Sequence, residues 1–588
     1  MEIHYTSEKN VQILLALLKF HGIRKVIASP GSTNMCLNAS VQHDPYFEVY
    51  SSVDERSAAY IACGMAAESG EPVVLSCTGA TASRNYVPGL TEAFYRQLPV
   101  LAVTVTQPLA RVGNYNQQVI DRSQQMKDLV RESVVVDVVK DSTDEWQYGL
   151  AINKAIIALK RHGGGPAHIN LVTTYSRDFS VKELPAVRGI NYHENLKDMP
   201  SLDKYKRIAI LPGVQGPWSK QLQEDVERFC ELHNAVVLKY HACNYKGKYG
   251  VNHSIIQMMK DYRSPNFNAD LVIYFGSVAR YLSGMHSSGV EMWRVSADGM
   301  LRDPERILSR VFAMSEEDFF HYYAGDTTKM GKGSEYAQAW QEEYRSIEAL
   351  VPELPFSNVW VAKNTIGRLP EGCVFHIAGS NTARAWNYFP MSENIEGYSN
   401  DGTMGIDGQV SALIGESLAA PQRLHFGVCG DLTFFYDMNS IGNRHIKGNL
   451  RLIVINNGMG AEFRIYSHPA YFLGEEGKPF VAAAGHYGNR SDKLIRHYAE
   501  DLGFEYLCAK TKEEYLKALE RFTIPTLTER PMLLEVFTKE TDESDAIYAM
   551  NHIVHNTSDT VTKAAKSIIK GVLGDKGVDA VRGILKKK

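Results

Sequence analysis

Short runs of β-branched and other apolar residues alternate along the chain with segments whose apolar positions recur every three or four residues. This alternation predicts an α/β architecture in which helices cover both faces of doubly wound parallel sheets. A helix is expected over residues 7–21. Strands are expected at residues 25–29, 73–77 and 99–106, then at 207–211, 271–275 and 292–295, and finally at 374–378, 425–429, 450–455 and 532–537.

The three groups of predicted strands indicate three domains, which is a reasonable number for a chain of 588 residues. We place them at residues 1–186, 187–350 and 351–545, followed by a tail at 546–588. Polar segments at 187–206 and 325–334 are the candidate linkers. No short-period repeat is visible, so the pattern does not indicate a solenoid or a propeller.

Composition narrows the function classes. The 63 Lys and Arg residues against 67 Asp and Glu residues give a formal charge of −4, which provides no global field for capturing nucleic acid. The eight cysteines show neither a C-x-x-C pair nor zinc spacing, so we expect reduced thiols. Residues 1–20 lack the continuous apolar run of a signal peptide, and we therefore expect a cytoplasmic protein without nucleic-acid partners.

Polar residues follow two of the predicted strands in the last domain. Gly430, Asp431 and Leu432 follow the run 425–429, and Asn457 follows the run 450–455. Because strands of a parallel sheet end at one common edge, these oxygens are expected to lie close together. Asp431, Asn457 and the main-chain carbonyl of Met459 could hold Mg²⁺. From the residues alone, the alternative is a helix cap at Asp431 and a turn at Asn457.

The 26 residues from Asp431 to Asn457 resemble the diphosphate-and-metal motif of thiamine diphosphate (ThDP) enzymes. Within that superfamily the chain is most similar to the 2-succinyl-5-enolpyruvyl-6-hydroxy-3-cyclohexene-1-carboxylate synthases of the menaquinone pathway. The resemblance covers residues 1 to about 545. It rests on Ser29-Pro30-Gly31-Ser32, Asp54-Glu55-Arg56, Cys77-Thr78-Gly79 with Asn85, and Gly405-Ile406-Asp407-Gly408.

The resemblance implies a role for each matching residue. The first domain would bind the cofactor's pyrimidine and the last its diphosphate, with Glu55 activating the cofactor and Ile406 supporting its bent shape. Residues implied in cofactor binding are Glu55, Thr78, Asn85, Met404, Ile406, Gly430, Asp431, Leu432 and Asn457. Ser32 and Gln118 match polar positions of the substrate pocket. Without the resemblance, Glu55 is a carboxylate in the first turn of a helix and Gln118 is a surface amide.

The resemblance also implies that Glu55 of one subunit faces Asp431 of another, in a homodimer or homotetramer. The expected reaction is decarboxylation of a 2-oxo acid, with transfer of the acyl-anion equivalent to an acceptor. Alternatives are a simple 2-oxo-acid decarboxylase, the menaquinone-pathway synthase itself, or a non-catalytic scaffold that keeps the fold.

Three positions depart from the synthase pattern, because Thr33, Gln107 and Asp401 stand where those enzymes carry arginine. Each charge-assisted contact between arginine and a carboxylate contributes about 1.5–3 kcal/mol. Loss of three such contacts predicts weak binding of 2-oxoglutarate and isochorismate, for which Arg84 could compensate only in part. Asp401 would suit a hydroxyl-rich or cationic acceptor.

The last 28 residues, from Val561, carry seven Lys and one Arg against two Asp, with apolar residues at helical spacing. This pattern predicts a basic amphipathic helix. Such a helix could rest on an anionic membrane surface or another protein. Alternatively, it could pack on its own oligomer with a solvated lysine face.

Overall fold

A computed structural model describes residues 4–260, 262–278, 289–325, 331–487 and 490–554. The chain divides into two compact units. Unit 1 comprises Met1–Pro200 with Glu291–Phe319, and unit 2 comprises Ser201–Val290 with Phe320–Lys588. The basic segment from Val561 lies outside the described residues, and the domain limits at 186, 350 and 545 stay predictions.

The strands and helices alternate along the chain as the pattern predicted. In chain order the strands are β1 (Lys25–Ala28), β2 (Glu48–Ser51), β3 (Val73–Cys77), β4 (Val100–Thr106), β5 (Glu132–Val136), β6 (Ala167–Val172), β7 (Asn191–His193), β8 (Ile208–Pro212), β9 (Ala235–Lys239), β10 (Gly250–Asn252), β11 (Leu271–Phe275), β12 (Glu291–Val295), β13 (Leu308–Phe312), β14 (Val374–Ile377), β15 (Glu396–Tyr398), β16 (His425–Gly430), β17 (Leu450–Asn456), β18 (Glu505–Ala509) and β19 (Met532–Phe537). The helices are α1 (Lys9–Phe20), α2 (Met35–His43), α3 (Glu55–Ser69), α4 (Ala80–Asn85), α5 (Val87–Tyr95), α6 (Ser142–Ala158), α7 (Lys220–His233), α8 (Ser254–Gln257), α9 (Glu316–Ala324), α10 (Glu335–Glu348), α11 (Asn358–Thr365), α12 (Ser380–Trp386), α13 (Gln409–Ala419), α14 (Asp431–Tyr436), α15 (Gly477–Phe480), α16 (Leu494–Asp501), α17 (Lys512–Phe522) and α18 (Glu540–Asn551).

The strands belong to three sheets, and every strand pairing described within them is parallel, which confirms the α/β fold class. The first sheet has the order β2-β1-β3-β4-β6-β5 and the last has β15-β14-β16-β17-β19-β18. In the middle set, β10-β9-β8-β11 belong to unit 2, and β12-β13-β7 belong to unit 1. The candidate linker 187–206 therefore contains a short strand, β7.

Several central strands are buried along their whole length, which is typical of parallel sheets covered by helices on both faces. All residues of β3, β4 and β6 in unit 1 are buried, as are all residues of β17 in unit 2. Close packing also depends on Gly427 in β16, since a Cβ there would lie 2.3 Å from Leu413 Cδ2 of α13. No helix within the described ranges is both long enough and apolar enough to cross a membrane.

Candidate active site

The carboxyl ends of β16 and β17 bring the predicted metal ligands to one edge of the last sheet. The two strands pair in parallel up to Gly430 and Ile455, so the residues that follow them leave the sheet side by side. Asp431 then begins α14, and Asn457 begins the loop after β17. The sequence pattern predicted this placement because parallel strands share one carboxyl edge.

A cavity of about 180 Å³ opens at this edge. Its wall includes six of the predicted cofactor or metal residues: Ile406, Gly430, Asp431, Leu432, Asn457 and Met459. Met404 does not belong to the wall. Its side chain is 48% exposed and its backbone has a positive φ of 54°.

Asp431 is a buried carboxylate that is only 3% exposed. One of its oxygens accepts a hydrogen bond from the Gly458 amide at 2.9 Å. Burial raises the pKa of Asp431 to about 7, against the lowering effect of amide donors that include Leu432 and Gly458. A buried carboxyl with no cation nearby is costly to ionise, and a divalent metal would remove that cost.

Asn457 supplies the second oxygen. Its Oδ1 is buried and has no hydrogen-bond partner among the described residues. An unsatisfied buried carbonyl costs about 1–3 kcal/mol, so this atom is suited to a hydrogen-bond donor or a metal cation. Among the described residues no cluster of three or more His, Cys, Asp or Glu could hold a metal, and the oxygen set around Asp431 instead suits Mg²⁺ shared with a diphosphate.

Several residues of the cavity wall were missed by the sequence analysis. Ser380, Asn381 and Thr382 follow β14 and line the cavity. They could have been found by the same rule that found Asp431, because they are polar residues that follow a predicted strand after one glycine, as Asp431 does. Ser380 has a positive φ of 62°, a conformation that is strained for a residue other than glycine.

Glu543 of α18 also lines this cavity and had no local signal in the sequence. Its carboxylate accepts hydrogen bonds from the Asn358 amide at 3.0 and 3.1 Å and from Thr538 Oγ1 at 2.6 Å. Burial raises the pKa of Glu543 to about 7. Two buried carboxyl groups, Asp431 and Glu543, therefore line one small cavity.

Glu55 lies at the carboxyl edge of the first sheet, in unit 1. It is the first residue of α3, whose N-cap residue Asp54 accepts hydrogen bonds from the amides of Arg56 and Ser57. Asn85 Nδ2 donates to Glu55 Oε2 at 3.4 Å, so the structure brings these two predicted cofactor residues together. The Glu55 side chain remains partly exposed.

Thr78 directly follows β3 and is held by Thr33. The two hydroxyl groups are hydrogen-bonded, and the Thr33 amide donates to Thr78 Oγ1 at 3.3 Å. Gly31 lies against the same side chain, since a Cβ there would stand 2.4 Å from Thr78 Cβ. Ser32, which lies between Gly31 and Thr33 in the sequence, is exposed at this edge.

Gln118 packs on the turn after β3. Its carbonyl oxygen lies 3.1 Å from where a Cβ of Gly79 would be, and its backbone has a positive φ of 62°. The side chain is exposed. Gln118 and Thr78 therefore occupy the same region of unit 1.

The three positions that lack arginine have different surroundings. Thr33 is 2% exposed, and its hydroxyl also contacts the carbonyl of Val105. Gln107 Oε1 accepts a hydrogen bond from exposed Arg111, so a cation stands beside this position after all. Asp401, in unit 2, is 3% exposed and accepts a hydrogen bond from Ser399 Oγ at 2.7 Å.

Comparison with known proteins agrees with this arrangement. Residues 9–126 match the family described as thiamine pyrophosphate enzyme, N-terminal TPP binding domain. Residues 378–536 match the corresponding C-terminal TPP binding domain. Thiamine pyrophosphate is another name for ThDP.

Two relatives match nearly the whole length of this chain. A 2-succinyl-5-enolpyruvyl-6-hydroxy-3-cyclohexene-1-carboxylate synthase from Phocaeicola vulgatus is 30% identical over 578 residues, covering 94% of this chain and all of the relative. The synthase of that name from Bacteroides fragilis is 30% identical over 576 residues, again covering 94% of this chain and 100% of the relative. A solved structure, the Rhodococcus jostii RHA1 thiamine diphosphate-dependent 4-hydroxybenzoylformate decarboxylase, is 17% identical, with a TM-score of 0.41 over 90% of this chain and 99% of that one. The family matches and the synthase relatives establish that the chain belongs to the thiamine diphosphate-dependent enzymes.

Proposed function

We propose that this enzyme uses ThDP and Mg²⁺ to decarboxylate a 2-oxo acid and to transfer the resulting acyl-anion equivalent to an acceptor. The observation that carries the proposal is the unpartnered, buried Oδ1 of Asn457 in the same cavity wall as the buried carboxylate of Asp431. When bound, ThDP supplies a carbon nucleophile that adds to the 2-oxo group and stabilises the charge left by CO2.

The chain's own residues divide the remaining work. Asp431, Asn457 and the Met459 carbonyl would hold the metal and, through it, the diphosphate, while Ile406 would support the cofactor from the cavity wall. Glu55 would hold a proton at the pyrimidine ring, and Asn85 orients its carboxylate by the hydrogen bond at 3.4 Å. Ser32 and Gln118 would contact the substrate.

The metal assignment is tested with Asp431→Asn, which keeps the side-chain shape and removes the charge. Calorimetric titration with ThDP and Mg²⁺ should show affinity at least about tenfold weaker, since loss of even an outer-shell partner of a metal has that effect. Asp501→Asn, at the exposed end of α16, is the matched control and should bind normally. Equal affinity in both variants would remove Asp431 from the metal site.

The role of Glu55 is tested by proton exchange at C2 of bound ThDP. Glu55→Gln should keep ThDP binding but slow the exchange by about 10²–10⁴-fold, the usual contribution of a positioned acid–base group. Glu68→Gln, near the other end of the same helix, should exchange at the wild-type rate. Wild-type exchange in Glu55→Gln would exclude this role while leaving the metal site intact.

In our proposal the active site forms between subunits of a homodimer or homotetramer, with Glu55 from one chain and Asp431 from another. Exposed apolar side chains next to Glu55 support an interface there: Val53 is 78% exposed, and Tyr60 and Ile61 of α3 are 48% and 47% exposed. Exposed apolar residues that lie close together often mark an interaction surface, whereas single exposed apolar residues are common on any protein.

The preferred substrates are proposed to be less anionic than 2-oxoglutarate with isochorismate. Asp401 supports this, because it places a carboxylate rather than a cation at its position. The competing candidate is the synthase reaction itself, which the 30% identity to named synthases favours. Arg111 beside Gln107 is the group that could then replace a missing arginine.

Steady-state kinetics separate these two candidates. CO2 release from a panel of 2-oxo acids should be fastest with a donor less anionic than 2-oxoglutarate. A kcat/KM of about 10⁴ M⁻¹s⁻¹ or more for 2-oxoglutarate with isochorismate would reach the ordinary enzymatic range and establish the synthase reaction instead. Failure of Arg111→Gln to change that value would show that another group holds the carboxylates.

A further inference from the structure

His376 is a buried histidine of β14 in unit 2, with an exposed fraction of 2%. Both of its ring nitrogens face side chains of α13: Nδ1 lies 2.8 Å from Glu416 Oε1, and Nε2 lies 3.3 Å from Gln409 Oε1. Gln409 is the first residue of α13, and Glu416 follows about two helical turns later on the same face. One buried ring therefore bridges the first and third turns of this helix.

Gln409 connects this ring to the loop 399–408, which runs from β15 to α13. Its side chain is buried, and Nε2 donates to the Gly405 carbonyl at 2.7 Å. That carbonyl belongs to the peptide bond before Ile406, which lines the cavity proposed for the cofactor. Gln409 also lies near the cavity wall itself, since a Cβ at Gly379 would stand 4.0 Å from its Nε2. The orientation of the Gln409 amide therefore determines where the peptide before Ile406 lies.

The hydrogen bonds of Gln409 determine which ring atoms carry protons. The Gly405 carbonyl can only accept, so the Gln409 atom beside it is the NH2 group, and the atom that faces His376 is the amide oxygen. That oxygen can also only accept, so the bond requires a proton on His376 Nε2. On the other side of the ring, the carboxylate of Glu416 accepts in the same way and requires a proton on Nδ1. An imidazolium ring satisfies all of these bonds together.

Glu416 supplies the negative charge that such a ring needs. Its Oε2 is buried without a hydrogen-bond partner in the part of the chain that the structure describes, so its carboxylate is held there through Oε1 and His376. A buried charge is costly unless it is paired. Ring and carboxylate therefore compensate each other, whereas a neutral ring would leave an unprotonated nitrogen facing an oxygen lone pair.

We infer that His376 is a positioning residue for the cofactor site and that both of its ring nitrogens are protonated. Nδ1–H is held by Glu416, and Nε2–H orients the Gln409 amide. That amide in turn fixes the Gly405 carbonyl and the peptide before Ile406. Only the last step, from Ile406 to ThDP, rests on the proposed function; the protonation of the ring and its hold on the loop do not.

Neutron diffraction from deuterium-exchanged crystals of the full-length wild-type protein tests the protonation directly. We expect deuterium on both Nδ1 and Nε2 of His376. Deuterium on only one of the two nitrogens would overturn the inference. The measurement uses neither a variant nor the cofactor, so its result depends neither on how a variant folds nor on the proposed function.

Calorimetric titration of the full chain with ThDP and Mg²⁺ tests the positioning role. His376→Gln offers one donor and one acceptor in place of two donors, and it should bind ThDP about tenfold more weakly, the lower end of the effect of removing a group that orients a ligand. His425→Gln is the matched control and should bind normally, because His425 is equally buried but lies at the amino end of the neighbouring β16. Equal affinities of the two variants would overturn the inference. Failure of the wild type to bind would contradict the proposed function instead, and the neutron measurement would still decide the protonation.

Amide hydrogen exchange of the cofactor-free protein separates this role from a general loss of stability. Gln409→Met keeps the length of the side chain and removes both of its hydrogen bonds. In this variant and in His376→Gln, residues 399–408 should exchange about two- to tenfold faster than in the wild type, the factor expected for the loss of one hydrogen bond. The amides of β17, a central strand of the same sheet, should exchange at the wild-type rate. Unchanged exchange in residues 399–408, or an equal change in β17, would overturn the inference.

Discussion

At the scale of single residues, the two carboxyl groups that line the unit 2 cavity, Asp431 and Glu543, are both buried but differ in their hydrogen-bond partners. The carboxylate of Asp431 shares its cavity wall with the unpartnered Oδ1 of Asn457, and these two oxygens together fit a metal. Glu543 accepts hydrogen bonds from Asn358 and Thr538 and joins α18 to the start of α11. We therefore propose that Asp431 serves the cofactor site and that Glu543 stabilises the cavity wall.

The raised pKa of Glu543 predicts a pH dependence of folding. Between the ordinary pKa of 4.5 and the folded value of about 7, the folded protein holds a proton that the unfolded chain has released, so stability falls as pH rises. The loss is complete above about pH 7 and amounts to about 3 kcal/mol. Glu543→Gln removes this contribution and should lose less stability than the wild type between pH 5 and pH 8.

Denaturant unfolding of apo wild type and Glu543→Gln at the two pH values measures this difference. Between pH 5 and pH 8, the free energy of unfolding of the wild type should fall by about 2–3 kcal/mol more than that of Glu543→Gln. Other titrating groups cancel because both proteins contain them. Parallel pH profiles for the two proteins would contradict the prediction.

Thr33 shows why a missing arginine does not by itself mark a changed substrate. Its hydroxyl is buried and bonded to Thr78 and Val105. Thr33→Val keeps the side-chain shape and removes these bonds, and it should reduce the free energy of unfolding by about 1–3 kcal/mol. Thr403→Val, at an exposed hydroxyl in unit 2, is the control and should change stability by less than about 0.5 kcal/mol. A similarly small effect for Thr33→Val would mean that its hydroxyl is available to a ligand.

At the scale of elements, the apolar pattern predicted the strands that matter for the site. The strand predicted at 73–77 has those bounds in β3, and the strands predicted at 425–429 and 450–455 each extend by one residue in β16 and β17. The sequence could do this because central strands of a parallel sheet are continuous apolar runs. Asp431 and Asn457 are polar residues just after two such runs, and this position predicted that they lie together at one edge of the sheet.

Other elements were beyond the reach of a local pattern. Strand β6 was not predicted because His168 and Asn170 interrupt its apolar run, yet His168 is buried and bonded to Thr104 and Ser133 from neighbouring parts of the unit. Glu543 reaches Asn358 across 185 residues of sequence. Partners at that separation are determined by tertiary packing, which no window along the chain records.

The loop after β1 gives a prediction at this scale. A Cβ at Gly31 would stand 2.4 Å from Thr78 Cβ and 2.8 Å from Asn34 Oδ1, so Gly31→Ala must displace the turn that carries Thr78. We expect weaker ThDP binding and a loss of about 1–3 kcal/mol in stability. Gly149→Ala in α6, where a Cβ meets nothing within 4 Å, should leave ThDP binding unchanged and stabilise slightly. Normal ThDP affinity in Gly31→Ala would show that this loop does not contribute to cofactor binding.

At the scale of the whole molecule, a soluble mixture of two inactive variants can decide whether the active site is shared between chains. Glu55→Gln and Asp431→Ala each remove one of the two groups that our proposal assigns to different subunits. If the site is shared, a mixed dimer contains one site with both defects and one site with neither. If each chain builds its own site, every site in the mixture is defective.

Co-refolded or co-expressed equal amounts of Glu55→Gln and Asp431→Ala should therefore recover activity. With random pairing across a two-fold interface, half of the dimers are mixed, and about a quarter of all sites are intact. Either variant alone should stay near zero in CO2 release. The same mixture made from Glu55→Gln and Glu55→Ala is the matched control, because no pairing of those chains restores an intact site. Activity no higher than this control, from mixtures shown to contain mixed oligomers, would place Glu55 and Asp431 of each working site in one chain.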